Sequence, residues 1–473
     1  MTLCGAPFRI PEGVGLLRTA GDLEFGDVEL GLPAPLREYQ WEGVSFLYRN
    51  QGALLADEMG LGKTVQASVA LTLAMRSPQI SRVLIVTPAA LTLNWERELE
   101  RWSPALVVRR VQGSDEDRSA FYSLPIDVLI ASYEQIRNDA LDRIPDGTFD
   151  LVILDEAQRI KNRNSRTAFA CRLLQRSRSW ALTATPLENS RADLESVFEF
   201  IKPGLIQRRM TKTEVFVRLE PYLLRRRKAE VLGELPPVII QDLAIDLGED
   251  QRSSYDEVWY SRTDALESES RPISTAALFA VITKLKQICN FDLDSGASAK
   301  LDALQTLLEP VIEPTDKVIV FSQYVETLKW LSSRLEHMPH DLYHGGLGTE
   351  ERDDIIRRFE GDPGPRILLM SLRAGGLGLN LQSASLVVLF DRWWNPAVEI
   401  QAIYRAHRFD RKTPLHVVRF LVSDTVEEQI DEILKTKQAL FEEYVDAAPT
   451  ADVHLLTRGD LMRILALQTS EIN

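Results

Sequence analysis

The stretch ALLADEMGLGKTVQ, from Ala53 to Gln66, runs from a short apolar segment through a glycine-rich turn into a helical pattern marked by Val65, Val69 and Leu73. Strand, turn and helix in that order aim unpaired backbone N–H groups and the positive end of a helix dipole at one point. That arrangement holds phosphate. The usual spacing of such a loop is G-x-x-x-x-G-K-[ST]. Asp57 stands here where the first glycine belongs, while Gly60, Gly62, Lys63 and Thr64 remain. Gly-Lys-Thr alone would equally describe a capped helix start; the strand before it and the partners downstream favour phosphate.

The first partner is LVILDE, Leu151 to Glu156, an apolar strand ending in two carboxylates. A strand tip beside a phosphate loop is where Mg²⁺ needs an acidic partner. Asp155 is expected to hold the metal's water shell, with the Thr64 hydroxyl as a direct ligand. Glu156 would orient or deprotonate an attacking water. An Asp-Glu pair alone would more simply cap the next helix, but its place downstream of the loop and its continuation as DEAQRIKN favour the chemical role.

A length of 473 residues holds two or three domains, and 45% hydrophobic with 26% charged residues is ordinary for a globular protein. There is no apolar run of about 18 residues, so no membrane span is expected. The start, MTLCGAPFRIPEG, has neither the basic flank nor the apolar core of a secretory signal. Cys4, Cys171 and Cys289 form no CxxC pair, which argues against a zinc site or a disulfide framework and fits a reducing cytoplasmic compartment, nucleoid-associated in a prokaryote. A net charge of −14 disfavours a passive nucleic-acid coat but leaves room for a local phosphate-gripping surface. Arg208-Arg209 with Lys212 and Arg225 to Lys228 are basic runs whose plain reading is solvated helix surface, a reading that for the first of them fits at least as well as a binding patch. His337, His340 and His344 straddle a helix end and Pro339, and are set aside as a metal site.

Apolar strand patterns alternate with helical ones at Val83–Thr87, Val107–Val111, Val128–Ser132, Leu151–Leu154 and Trp180–Thr183, and again at Lys317–Phe321, Arg366–Met370, Leu386–Phe390 and Leu415–Leu421. This alternation predicts α/β units with parallel sheets flanked by helices. A polar, helical stretch around Gln241 to Lys300 separates the two series. The expected division is an N-terminal extension (1–35), a first lobe (36–245), a helical insertion (246–299), a second lobe (300–424), and a C-terminal brace helix with a tail (425–473).

The ordered motifs resemble the Swi/Snf-like family of double-stranded-DNA translocase ATPases, within helicase superfamily two. They are LREYQWEGVSFL, DEMGLGKT, VTPAALTLNWERELERW, DEAQRIKN, LTATPLEN, LLRRRKAEVLGELPP, LKQICN, VIVFSQY, SLRAGGLGLNLQSAS and WWNPAVEIQAIYRAHR. The resemblance spans Pro35 to Leu440. It implies two RecA-like lobes with ATP and Mg²⁺ in the cleft between them. It further implies that Gln40 reads the adenine edge, Lys63 bridges the β- and γ-phosphates, and Arg405 and Arg408 act as arginine fingers. Gln401 would couple the lobes, and Asp57, Gly60, Gly62 and Thr64 would complete the nucleotide cradle. Thr87, Pro88, Ser132, Ser322, Gln323, Gly376, Gly378 and Asn380 fall in segments that line the nucleic-acid track of such motors. Trp393 and Trp394 are read as packing residues near the lobe junction rather than base-stacking ones.

The implied partners are duplex DNA and a DNA-bound protein substrate or a targeting subunit, with no membrane. The sequence shows no appended reader module, so targeting would come from a partner, a longer natural chain or DNA structure. A strand-separating helicase and a nucleotide-dependent binding switch stay open as alternatives. Two departures from the family pattern stand out: Gln158 in place of the histidine of DEAH, and Arg408-Phe409-Asp410-Arg411 in place of Arg-Ile-Gly-Gln.

Overall fold

A computed structural model describes residues 30–76, 78–184, 191–207, 209–231, 236–262, 274–309, 317–361, 364–375, 379, 381–394, 396–407, 411, 413–445 and 457–467. The chain divides into two compact units, with the boundary between Gly233 and Glu234.

Apolar strands buried on both faces build the first unit. Its strands are β1 (Gly52–Leu55), β2 (Val83–Thr87), β3 (Val108–Arg110), β4 (Val128–Ser132), β5 (Leu151–Asp155), β6 (Arg178–Leu182) and β7 (Leu223–Leu224). They pair in the order β3-β4-β2-β5-β6-β1-β7, each pairing parallel. Every residue of β1, β2, β4 and β5 is buried, as expected of a parallel sheet covered on both faces. Helices that bear on its chemistry are α1 (Glu38–Arg49), α2 (Lys63–Met75), α3 (Thr92–Trp102) and α4 (Tyr133–Asp139).

The second unit holds β8 (Val238–Ile245), β9 (Lys317–Ser322), β10 (His340–Tyr343), β11 (Ile367–Ser371), β12 (Ala384–Leu389) and β13 (Leu415–Val422), of which β9 and β11 are wholly buried and β8 is largely exposed. The order is β10-β11-β9-β12-β13-β8, again wholly parallel. The expectation of two parallel α/β sheets is met. One boundary moves: β8, assigned from sequence to the first lobe, pairs along its whole length with β13, Val238 opposite Leu415 through Ile245 opposite Val422. A strand that precedes the rest of its sheet by some seventy residues joins it as an edge, and pattern alone cannot show which sheet claims it.

The helical insertion and the brace form one module. Leu278, Ile282, Leu285 and Cys289 of α6 (Thr275–Asn290) pack with Tyr255 of α5 (Glu249–Tyr260). The same cluster holds Val426, Ile430 and Leu434 of α9 (Val426–Val445) and Leu461 of α10 (Arg458–Ile464). Buried charge ties this module to the sheet. Lys300, the second residue of α7 (Ala299–Leu308), donates to Glu427 at 2.8 Å and to Asn290 at 3.0 Å, and both ion-pair side chains are fully buried. Asn290 also donates to Asp391 beyond β12, at 3.1 Å. Arg392 pairs with Glu399 and Asp431, all buried. Trp394 stands edge-on to Phe279 of α6 at 5.4 Å, with the Lys286 ammonium 4.4 Å from its ring centre, so it packs inside this unit. Among the described residues no helix is long and apolar enough to cross a membrane.

Removing one member of a buried ion pair leaves the other charge uncompensated, at a cost of about 3–5 kcal/mol, whereas an apolar pair of similar volume is often neutral. Glu427→Ala should therefore lower stability in urea denaturation by that amount, and Lys300→Met with Glu427→Leu should recover most of it. Equal losses in both variants would show that the pair contributes nothing as a pair.

Candidate nucleotide site

In an open parallel sheet the strands' carboxyl ends form the crevice where ligands bind. In the first unit these ends carry the chemistry. β1, β6 and β5 are neighbours, with Leu55 opposite Leu182 and Leu182 opposite Asp155. The loop after β1 and the acid at the tip of β5 are thus two strand spacings apart, roughly 10 Å.

The loop takes its shape from left-handed glycines, Gly60 at φ 82° and Gly62 at φ 78°. Gly62 is the N-cap of α2, so the first N–H groups of that 13-residue helix are aimed at the loop's centre. A Cβ on Gly62 would sit 2.6 Å from the Gln40 amide nitrogen. Lys63 curls back and donates to the carbonyls of Asp57 at 2.7 Å and Glu58 at 3.3 Å. Its ammonium is thereby held within the loop. Gln40, buried, accepts from the Arg37 N–H at 3.0 Å and points its amide N–H₂ toward the Leu61 carbonyl at 3.5 Å, which sets it against the loop.

Asp57 contributes differently from expectation. Its carboxylate is fully buried and gripped on both oxygens by Arg226, at 3.0 and 2.6 Å, with Gln66 donating at 3.2 Å. The side chain is therefore spent inside the protein, and Asp57 offers the cradle its backbone carbonyl. Arg226 also donates to the Tyr39 carbonyl and to Glu42 of α1, and to Gln66 of α2 at 2.9 Å. Its backbone carbonyl accepts the Glu58 N–H at 3.0 Å. One arginine thus joins α1, the loop, α2 and the segment following β7. The sequence reading left it in a basic run; the signal available was a buried-type Asp inside a glycine loop, which demands a counter-charge.

The acidic pair sits across from this loop. One Asp155 oxygen accepts from Trp95 of α3 at 2.7 Å and from Thr87 at 3.0 Å, while the other accepts the Glu156 N–H at 3.0 Å. Burial, and next the Glu156 charge, push the Asp155 carboxyl up to about 6, against the pull of the Trp95 and Thr87 donors and the Lys63 charge. A buried acid raised in this way beside a second acid is a place where a divalent cation is favoured. Glu156 adopts φ 52°, a left-handed conformation that costs an ordinary residue roughly 1–2 kcal/mol. Gln158 donates to Glu156 at 2.6 Å and accepts from Thr183 at 2.8 Å. A relay of side chains therefore connects Glu156 to the end of β6.

The hydroxyls assigned to the nucleic-acid track turn inward. Thr87 is fully buried on Asp155, and Ser132 caps α4, accepting the Gln135 N–H at 3.1 Å. Ser322 is buried and donates to Asp391, while Gln323 donates its backbone N–H to Asp391 at 3.0 Å and its amide to the Arg392 carbonyl at 3.1 Å. Pro88 is buried as well. A hydroxyl at the tip of a strand covered on both faces finds its partner inside the protein, and these side chains do. Gly376, Gly378, Asn380 and Arg408 lie outside the described residues. Gln401 and Arg405 lie one turn apart and half-buried on α8 (Pro396–Ala406), whose Ala402, Ile403 and Ala406 pack into the core of the second unit.

A glycine phosphate loop and an acid pair at the carboxyl ends of parallel strands one strand apart in the same sheet define a protein of the P-loop nucleotide-binding class, followed here by a second parallel α/β unit. Residues 39–293 match the SNF2-related domain and residues 299–410 the helicase conserved C-terminal domain. The chain belongs to the SNF2-related family. It is 34% identical to the uncharacterized ATP-dependent helicase MG018 of Mycoplasma genitalium, over 86% of this chain and 42% of that one. It is 32% identical to the putative ATP-dependent helicase/translocase YwqA of Bacillus subtilis, over 91% of this chain and 51% of that one. The chain thus spans about half the length of these relatives. A solved Sulfolobus solfataricus SWI2/SNF2 ATPase core in complex with dsDNA aligns at 28% identity over 93% of this chain and 98% of that one, with a TM-score of 0.43.

Gly43 of α1 tests the Arg226 junction. A Cβ there would lie 1.7 Å from the side-chain amide oxygen of Gln66 and 2.9 Å from the Arg226 guanidinium. Gly43→Ala should displace both side chains and destabilise the chain by about 1–3 kcal/mol in urea denaturation, with weaker binding of a fluorescent ATP analogue. Gly345→Ala, in an exposed turn where nothing lies within 4 Å, should stay within about 0.5 kcal/mol. Equal behaviour of the two variants would separate the junction from the loop.

Proposed function

We propose that this chain is the motor core of an ATP-dependent double-stranded-DNA translocase that displaces or remodels DNA-bound proteins without separating the strands. The observation that carries the reading is the convergence of the phosphate loop, the Asp155–Glu156 pair and the Gln158–Thr183 relay at neighbouring strand ends. Membership of the SNF2-related family supports it, as do the relatives' descriptions as ATP-dependent helicases.

On this reading Lys63 exchanges the Asp57 and Glu58 carbonyls for β- and γ-phosphate oxygens, and the α2 N-terminus receives the remaining phosphate charge. Gln40 meets the adenine edge. Asp155 and Thr64 hold Mg²⁺, which when bound neutralises phosphate charge during transfer. Glu156 orients the attacking water and takes its proton, with Gln158 fixing the carboxylate. Arg405 and Arg408 of the second unit stabilise charge on the transferring phosphoryl group, and Gln401 accompanies them. Nucleotide drives movement only if it favours one arrangement of the two units over another. The fused insertion and brace would carry that movement to a DNA-bound obstacle or a targeting subunit.

Backbone contacts to phosphate, rather than base reading, suit a sequence-independent motor. With Thr87, Ser132 and Ser322 occupied internally, the remaining candidates are backbone groups of those loops and Gly376, Gly378 and Asn380.

ATPase rates should rise strongly with duplex DNA and little with single-stranded DNA or RNA, and Lys63→Ala should bring the rate to background. Arg405→Ala should lower kcat by roughly 10³-fold or more. Equal response to all three nucleic acids would contradict the reading, and efficient strand release from a forked duplex would favour a separating helicase instead.

A further inference from the structure

The departure at Arg411 has a geometry of its own. Its guanidinium donates to five backbone carbonyls drawn from three segments. Nη1 reaches Ala384 at 2.7 Å, Ala406 at 3.2 Å and Gln382 at 3.4 Å; Nε reaches Thr413 at 2.8 Å, and Nη2 reaches Pro414 at 3.2 Å. Gln382 and Ala384 lead into β12, Thr413 and Pro414 lead into β13, and Ala406 ends α8.

The last carbonyls of a helix have no partner within it. In α8 the Ala406 carbonyl is taken by Arg411, and the Arg405 carbonyl accepts the Leu381 N–H at 3.1 Å. A cation at a helix C-terminus is also favoured by the dipole. The turn that bears Arg405 is thereby fastened by two bonds, one from the Arg411 side chain and one from the Leu381 backbone, and Arg411 carries its bond on to the starts of two strands. The planar fork donates from all three nitrogens at once, the two N–H groups of Nη1 being shared among three carbonyls. A lysine head concentrates three donors at a point and a glutamine offers two, so neither reproduces the set.

We infer that Arg411 is a positioning residue for hydrolysis, holding the C-terminal turn of α8 so that Arg405 is presented in one fixed place. This rests on the reading of Arg405 as an arginine finger. Arg411 itself touches no substrate; its effect on catalysis passes through Arg405.

The test is a double-mutant cycle on the full chain, with kcat and KM for ATP measured in saturating duplex DNA for wild type, R411A, R411Q, R405A and R405A/R411A. A displaced finger loses transition-state contact and little ground-state binding, so R411A should lower kcat by about 10- to 100-fold with KM changed less than about twofold. R411Q should fall between wild type and R411A, and it carries the comparison if R411A fails to fold. In the R405A background, loss of Arg411 should lower kcat less than about twofold further. The full R411A loss repeated in that background, or a rise in KM with kcat unchanged, would overturn the positioning role while leaving the finger intact. An unchanged kcat in R405A would instead overturn the finger reading, and this inference with it.

Discussion

The buried pairing of Asp57 with Arg226 is the constraint on which the nucleotide site is built. A carboxylate taken out of water in the middle of a glycine loop is tolerable only with a counter-charge and with its lone pairs filled. Arg226 does both through two bonds of 3.0 and 2.6 Å, and Gln66 adds a third. Because the same guanidinium reaches α1 and α2, the loop cannot shift without disturbing both helices. The left-handed Gly60 and Gly62 shape the turn, and the charged clamp at Asp57 anchors it where a glycine would offer no such hold. The clamp also makes Gly43 obligatory, since Gln66 passes where a side chain would stand.

That clamp comes from the segment by which the chain leaves the first unit. β7 pairs with β1, and beyond it the Arg226 carbonyl and the Lys228 N–H bond to Glu58 of the loop. Phosphates that draw Lys63 off the Asp57 and Glu58 carbonyls act on the residues this exit segment holds. The second unit answers with rigidity of another kind. Lys300, Glu427, Arg392, Glu399 and Asp431 are buried charges with mutual partners, and they join the insertion and the brace to the tips of β9 and β12. Paired charges with fixed hydrogen-bond geometry allow fewer alternative packings than an apolar contact of the same area, which suits a module expected to bear load.

How much of this was legible in sequence follows from the range of each signal. The strands β2 and β4 lie where the apolar runs place them, and α2 and α9 start within two residues of their expected positions, because a buried parallel strand and an amphipathic helix announce themselves locally. β7 is two residues long and β8 lies apart from its sheet in sequence, so their pairings depend on partners that no local pattern encodes. Lys63, Asp155 and Glu156 gather as their spacing suggests. Arg226 was missed because its partner is 169 residues away. The hydroxyls at Thr87, Ser132 and Ser322 were placed on a surface because a motif records residue type and not the direction a side chain faces.

The inward turn of Thr87 changes what its motif does. Donating to Asp155 together with Trp95, it fixes the orientation of the carboxylate and opposes the rise in its pKa. The tip of β2 therefore sets the acid through the Thr87 hydroxyl, at the head of a loop proposed to meet nucleic-acid phosphate. Tyr133, adjoining Ser132 at the next strand end, holds the backbone of the same strand tip by donating to the Asp155 main-chain carbonyl at 2.7 Å. A displacement of either loop by nucleic acid would pull directly on the group proposed to hold the metal. The proposed DNA stimulation of hydrolysis would then have a short physical path, of one hydrogen bond from each loop to Asp155, with no need for a change propagated through the core.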